Sequence, residues 1–271
     1  MNGLSGKDVK MRKKLGLVGC GTLGKAAIRE TIRTMGDDYE LAAVHDINNE
    51  SMKQLTDECG GKICVDFQEL LEEKPDIVIE AAGGAVLKKI LIPSLEAGAD
   101  MIVLSIGAFA DQAFYENASQ TAKNLGRKIH LASGAIGGFD LMQAAGLYGE
   151  LNSRIINRKN PSSLPENYEL GEEDARELFR GSAKEAIALF PKNVNVAVAA
   201  ALATTGIEQT EVVVISDKNC ELNTHRIELS GDFGYAVIEV ASKPSPENPA
   251  SSLIAAYSVV AKLKQLIQPI G

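Results

Sequence analysis

The stretch LGLVGCGTLG, residues 15–24, decides how the rest of the chain is read. A short apolar run (Leu15, Leu17, Val18) ends in Gly19-Cys20-Gly21-Thr22-Leu23-Gly24, and a helix-like segment, KAAIRETIRTM, follows. Strand, tight turn and helix start, in that order, form the cradle that a dinucleotide's pyrophosphate needs. Gly19 permits the turn, Gly21 lets backbone N–H groups approach the phosphates, and Gly24 lets the helix pack close to the strand. Thr22 and Leu23 complete the cradle, and the helix N-terminus turns its positive dipole end toward the anion. The second strand reads ELAAVHD, with Asp46 placed 22 residues after Gly24, where a carboxylate would bind the ribose hydroxyls.

The chain has 271 residues, enough for one large or two medium domains with ample core. Hydrophobic residues make up 45% and charged residues 24%, as in ordinary globular proteins. A formal net charge of −8 argues against nucleic acid or an anionic membrane surface as the main partner. No apolar run approaches the roughly 20 residues that span a bilayer. The opening MNGLSGKDVKMRKK has basic residues but no apolar core, so it reads as a short leader and not as a signal peptide. Cys20, Cys59, Cys64 and Cys220 form no C-x-x-C pair and no zinc module, so no metal site is expected. They read as structural thiols in a reducing cytoplasm.

The grammar of the first half is strand and helix in alternation. After ELAAVHD come the helix NNESMKQLTDECGG, the short strand KICV, and a helix FQELLEE capped by Asp66. PDIVIEAAGG is a buried parallel strand that opens onto small residues, which places Ala81 near a bound cofactor. A helix with Pro93 inside it should kink or break there. The strand DMIVLSIGA, a helix from Asp111 to Leu125 and the strand RKIHLAS complete the set. This pattern predicts an α/β fold with a doubly wound parallel sheet, a Rossmann domain, over residues 1–133. A second Gly-rich turn, SGAIGGFD (133–140), stands at the handover to the next domain.

Residues 134–248 read as an α+β domain with a mixed or antiparallel sheet and helices on one face. Its strands are SRIINRKN, TEVVVISD, NTHRIELS and GYAVIEVA; EEDARELFRGSAKEAIALF and VNVAVAAALATTG read as helices. Residues 249–271 form a last helix, opened by Asn248-Pro249, that packs back on the first domain. Its apolar stripe falls on Leu253, Tyr257, Val260, Leu263 and Ile267.

A nicotinamide enzyme takes hydride chemistry from its cofactor and must itself orient substrate and manage one proton. Of three histidines, His45 lies beside Asp46 at the adenosine end and His130 lies within a strand, which leaves His225 in the triplet Asn223-Thr224-His225. By itself that triplet is equally well a surface-strand histidine. Phe190-Pro191-Lys192-Asn193-Val194-Asn195-Val196 offers two asparagines at a helix start, as carboxamide partners or as plain caps.

FPKNVNVAVAAALA, NTHRIELSGDFG, SGAIGGFD and NPASS together resemble the L-aspartate dehydrogenase family, in the same order along nearly the whole chain. The resemblance implies a catalytic histidine at His225, with NAD-contacting residues at Ala135 and Asn195. It also implies a homodimer, L-aspartate as substrate and NAD as cofactor, with NADP possible in some members. The chain departs from the family in having Asp217-Lys218 where Asp-Pro is common, and in a longer, more polar loop over 158–171. Asp46, with no basic residue immediately after it, favours NAD, because a carboxylate repels a 2′-phosphate. A dicarboxylate substrate needs local positive charge, for which Arg154, Arg158, Lys184, Lys192 and Arg226 are candidates, or N–H donors from the turn 134–138. The competing readings are a homoserine dehydrogenase or dihydrodipicolinate reductase of like architecture, or an NAD(H) sensor without turnover.

Overall fold

The computed structural model describes residues 11–164, 173–190, 195–245 and 251–270. The leader, residues 191–194 and the Asn248-Pro249 helix start lie outside the described residues, as does 165–171 of the long loop. The first half runs β1 (Lys13–Val18), α1 (Thr22–Met35), β2 (Tyr39–His45), α2 (Asn49–Cys59), β3 (Lys62–Ile63) and α3 (Phe67–Glu72). It continues with β4 (Ile77–Glu80), α4 (Gly84–Glu96), β5 (Asp100–Val103), α5 (Gln112–Leu125) and β6 (Ile129–Leu131). The six strands form one parallel sheet in the order β3-β2-β1-β4-β5-β6. Helices cover both faces, so the central strands are buried on both sides, and Ile77–Ile79 and Met101–Val103 are unbroken apolar runs. The order reverses between β1 and β4, and in such sheets the crevice beyond the strands' carboxyl ends at that point receives ligands.

Local signals set the helix ends. Asp66 and Asp111 accept from the backbone N–H groups of Glu69 and Phe114, and left-handed Gly126 closes α5. Pro93 does not break its helix: α4 runs through it to Glu96, and Ala97 N still reaches Pro93 O at 3.0 Å. In the last turn a proline removes only one late hydrogen bond.

The second half is α6 (Phe139–Tyr148), β7 (Leu151–Lys159), β8 (Ala175–Ser182), α7 (Ala183–Leu189) and α8 (Asn195–Ala203). After these come β9 (Glu211–Asp217), β10 (Asn223–Gly231), β11 (Gly234–Ser242) and α9 (Ile254–Gln265). Its sheet, β11-β10-β7-β9-β8, is mixed: β7 and β9 are parallel and the other neighbours antiparallel. One face packs Ile155, Val212, Val214, Ile227 and Leu229 into the cluster that holds Met142 of α6, Ala186 of α7 and Ala197–Ala201 of α8. The same cluster continues through Phe109 and Ile106 to Met101 and Val103, so the two sheets share one core.

Two expectations are corrected here. Residues 175–182 are not helical: they form the edge strand β8, and the helix begins only at Ala183, behind a capping box in which Ser182 and Glu185 bond reciprocally. Pairing with β9 overrides the helix propensity of ARELFR. The stripe expected on the last helix holds only in part: Leu263 is buried and Val260 and Ile267 pack against the same cluster, but Leu253 and Tyr257 do not. α9 packs against α1 through Ala256, Val259 and Leu263, while Leu253 and Tyr257 lie exposed. Small residues decide this face, and Tyr39 Oη anchors it by donating to Leu263 O at 2.8 Å.

Candidate functional site

The glycine cradle stands at the carboxyl end of β1. Gly19 N donates to His45 O (3.0 Å), and the residue takes φ +100° with Ala81 and Ala82 directly behind it. A Cβ there would sit 2.5 Å from the Ala81 carbonyl carbon. A Cβ on Gly24 would run into Gly19 O. Gly21 differs, because a Cβ there would meet no atom within 4 Å. Packing explains the first and third glycines; open space at the start of a 14-residue helix with no acidic residue in its first turn explains the second. That arrangement fits a dinucleotide's pyrophosphate. Thr22 and Leu23 form the first turn of α1 beside it.

Asp46 follows β2 and bridges two loops: its Oδ2 accepts from Cys20 N at 2.5 Å and its Oδ1 from Asn48 N at 2.8 Å. Burial, with the Asp46 charge beside it, pushes the Cys20 thiol up to about 12, so it stays protonated and inert. Ala81 follows β4 and donates its N–H to Val18 O at 2.8 Å. Sequence reasoning missed the residue that shapes this edge, Glu80. Fully buried, its carboxylate accepts from Ala82 N, Gly83 N and Ser105 Oγ at 2.8 Å each and from Ser105 N at 3.0 Å. It ties the loop after β4 to the loop after β5. An acidic residue ending an otherwise apolar strand was the available signal.

Across from this edge, a cavity of about 110 Å³ brings together Leu23, Leu104, Gly134, Ala135, Lys159, Asn195, Val196, Asn223, His225, Ser251, Ser252 and Ala255. It collects the cradle's Leu23, the turn's Ala135, Asn195 and His225 at one place; Asp46, Ala81 and the cradle's Gly19, Gly21 and Gly24 are not part of its lining. Asn195 opens α8, and its Oδ1 accepts from Gly107 N at 2.9 Å, linking the second domain to the loop after β5. Gly134 N donates to Ser258 Oγ of α9 at 3.1 Å, which holds the turn bearing Ala135.

Strand alternation aims the catalytic candidates. On β10, Asn223, His225, Ile227 and Leu229 are buried, while Arg226 and Glu228 point to the other face. On β7, Ser153, Ile155, Asn157 and Lys159 are buried and Arg154 and Arg158 are not. His225 and Asn157 are register partners, and His225 Nδ1 lies 2.7 Å from Asn157 Oδ1. Because an amide oxygen only accepts, the ring proton sits on Nδ1 and Nε2 keeps its lone pair. Asn157 Nδ2 is buried without a partner among the described residues. A buried amide half satisfied in this way costs stability, and orienting an imidazole gives a reason to retain it.

Burial first, and the Lys159 charge second, lower the His225 pKa to about 3. The ring is therefore neutral in the folded protein. The unfolded chain binds a proton here below pH ~6.5 and the folded chain does not until about 3, so stability falls as pH drops through that window. We expect His225→Gln to relieve about 2 kcal/mol of that loss at pH 5 relative to pH 8. Urea unfolding of both proteins at the two pH values measures it, and parallel losses would contradict it.

The basic residues expected to meet a dicarboxylate are elsewhere. Arg154 pairs with Glu211, Arg158 with Asp217, Lys184 with Glu208, and Arg226 with Glu228 and Glu239, all with guanidinium or ammonium groups well exposed. Lys192 lies outside the described residues. Lys159, which sequence reasoning passed over, is 2% exposed and lines the cavity.

The profile described as "Aspartate dehydrogenase, C-terminal" matches residues 140–266, and that of "Homoserine dehydrogenase, NAD binding domain" matches residues 19–132. An L-aspartate dehydrogenase of Methanocaldococcus jannaschii is 33% identical over 264 residues, 95% of this chain and 98% of the relative. One from Methanospirillum hungatei is 36% identical over 258 residues, with the same coverage. Among solved structures, an aspartate dehydrogenase from Thermotoga maritima superposes with a TM-score of 0.77 at 26% identity, covering 96% of this chain and 99% of that one. A homoserine dehydrogenase from Thiobacillus denitrificans, at TM-score 0.64 and 15% identity over 93% of this chain and 72% of that one, shares the fold.

Proposed function

This chain belongs to the L-aspartate dehydrogenase family, and from that premise we propose that it oxidises L-aspartate with NAD as hydride acceptor. The observation that carries the reading is the small cavity in which His225, Asn195 and Ala135 meet Leu23 of the dinucleotide cradle. NAD, when bound along Gly19–Gly24 and Asp46, supplies the acceptor for the hydride that leaves the substrate's Cα. The amine nitrogen's lone pair becomes the second bond of an imine, giving iminoaspartate. His225 Nε2, its lone pair free because Asn157 holds the proton on Nδ1, takes the proton that the nitrogen gives up, or later the proton of the water that adds to the imine. Addition of that water and cleavage of the C–N bond yield oxaloacetate and ammonia; an imine passed on intact would feed quinolinate formation for NAD synthesis. Entry of an anionic substrate beside Lys159 offsets the charge that helps hold the His225 pKa down, and so makes the ring a better base when substrate is present.

Ala135 and Asn195 serve the nicotinamide half of the cofactor in this reading, and Ala81 its approach. Asp46 favours NAD over NADP by repelling a 2′-phosphate. The working form is a homodimer in a reducing, cytoplasmic setting, checked by light scattering on a sizing column. No helix among the described residues is long and apolar enough to cross a membrane.

The test is NADH formation with NAD and L-aspartate, run beside L-homoserine, L-glutamate and D-aspartate. A rate with L-aspartate alone is expected. A rate with L-homoserine instead moves the substrate, and no rate in protein that binds NAD favours a sensor.

A further inference from the structure

Glu80 is fully buried at the end of β4, and its four hydrogen bonds come from two loops. Oε1 accepts from Ala82 N, Gly83 N and Ser105 Oγ, and Oε2 accepts from Ser105 N. Ser105 stands at the head of a single 3₁₀ turn, Ile106–Ala110, where its carbonyl accepts from Ala108 N at 3.1 Å. The first N–H groups of such a turn have no partner within it. Gly107 N finds one outside, Asn195 Oδ1, 2.9 Å away at the head of α8. A Cβ on Gly107 would sit 2.5 Å from that oxygen, so glycine permits the approach. A chain of contacts therefore runs from Glu80 through Ser105 and Gly107 to Asn195, which lines the cavity with His225. Its last link has a direction. A backbone N–H bonds only the oxygen end of a carboxamide, so Nδ2, on the opposite arm, is the end left to donate elsewhere.

We propose that Glu80 is a positioning residue for the nicotinamide: through Ser105 and Gly107 it commits Asn195 Oδ1 to the protein and presents Nδ2 as a donor to the cofactor's carboxamide oxygen. The inference rests on the reading above that places Asn195 at the nicotinamide half. Four donors converge on Glu80, and a carboxylate, which only accepts, satisfies them all. Glutamine has the same shape but one accepting end. With its oxygen kept on Ala82, Gly83 and Ser105 Oγ, its NH₂ faces the Ser105 N–H, donor against donor. Glu80→Gln therefore keeps the loop after β4 and slackens the loop after β5. Gly107→Ala breaks the chain one link later. The Gly107 backbone lies outside the left-handed region, so alanine fits it, and the new Cβ displaces Asn195 Oδ1. The other atom it would meet closely, Ile187 Cδ1 at 2.8 Å, is a side-chain tip that can move.

The test titrates NADH by fluorescence into the wild type, Glu80→Gln, Gly107→Ala, Asn195→Ala and the two double variants that contain Asn195→Ala, with melting curves to confirm folding. Asn195→Ala should weaken NADH binding roughly 3- to 10-fold, the range of one neutral hydrogen bond. Glu80→Gln and Gly107→Ala should each weaken it by a like factor. In the Asn195→Ala background neither should weaken it further, because groups in one network do not add. A merely structural Glu80 gives factors that multiply. The 3-acetylpyridine analogue of NADH keeps the carbonyl and lacks the amide nitrogen, so Asn195→Ala should cost it the same factor. A penalty that vanishes with the analogue would mean that Asn195 accepts from the cofactor, and would overturn the proposal. So would multiplying factors, or unchanged affinity in either Glu80→Gln or Gly107→Ala, with Asn195 left at the cofactor. Unchanged affinity in Asn195→Ala, with L-aspartate still oxidised, would remove Asn195 from the cofactor site and overturn the proposal while the reaction stands. The expected binding pattern in a protein that does not oxidise L-aspartate would overturn the reaction and keep the chain of contacts. Gly107→Ala carries the test if Glu80→Gln does not fold.

Discussion

Replacing His225 with Ala is expected to lower kcat with L-aspartate by on the order of 10²- to 10⁴-fold, the range that positioned acid–base groups supply, and to leave NAD affinity unchanged. The separation follows from geometry. His225 lies in the cavity between the second sheet and α9, on β10, whereas the pyrophosphate cradle is built from β1, α1 and the loop after β4. Its ring is neutral and its Nε2 unprotonated before substrate arrives, because burial and then Lys159 hold the pKa at about 3. The Ala variant removes that acceptor and strands Asn157 Oδ1 in a buried site, at a cost of about 1–3 kcal/mol in stability. Asn157→Leu is the companion: it keeps the imidazole but leaves Nδ1–H without its partner, so kcat should fall by less than in the Ala variant. Isotherms for NAD and initial rates for both variants decide it. Loss of NAD affinity in step with kcat would make His225 a structural residue and move the chemistry elsewhere.

The parts of the molecule that were legible in the sequence are those fixed by neighbours along the chain. Gly19, Gly21 and Gly24 sit in one turn, Asp66 and Asp111 cap their own helices, and the parallel sheet follows from alternating apolar runs and helices. His225 was singled out by resemblance, since Asn-x-His by itself is equally a surface-strand triplet. The residues missed depend on partners far away in sequence. Asn157 meets His225 from 68 residues off, and Glu80 gathers Ser105 from the next strand's loop. Lys159 was nonetheless within reach: reading β7 with period two around Ile155 places Asn157 and Lys159 inside and Arg154 and Arg158 outside. Counting charges without assigning faces led to the arginines. The misread strand β8 has the same origin, because an edge strand that is exposed over much of its length has no buried alternation to reveal it.

Two glycines of one motif should fail in opposite ways. Gly19→Ala is expected to destabilise the fold by roughly 3 kcal/mol or more, from left-handed backbone strain of about 1–3 kcal/mol and overpacking of about 1–3 kcal/mol. Its φ is +100° and its added Cβ would meet backbone atoms of Ala81 and Ala82, which cannot swing aside as a side-chain tip does. Gly21→Val meets none of this. Its backbone lies at φ −72°, ψ −171°, a region open to any residue, and its Cβ enters empty space. The folding cost should be no more than about 1 kcal/mol, for a poorer helix N-cap. NAD affinity, however, should drop on the order of 100-fold, because a branched side chain then stands where the helix N-terminus would receive the pyrophosphate. Thermal melting separates the two variants without cofactor, and NAD titration of the folded Gly21→Val protein completes the test. A Gly21→Val enzyme that binds NAD like the wild type would mean that the phosphates do not pass over this turn, and the cofactor path along Gly19–Gly24 would have to be redrawn.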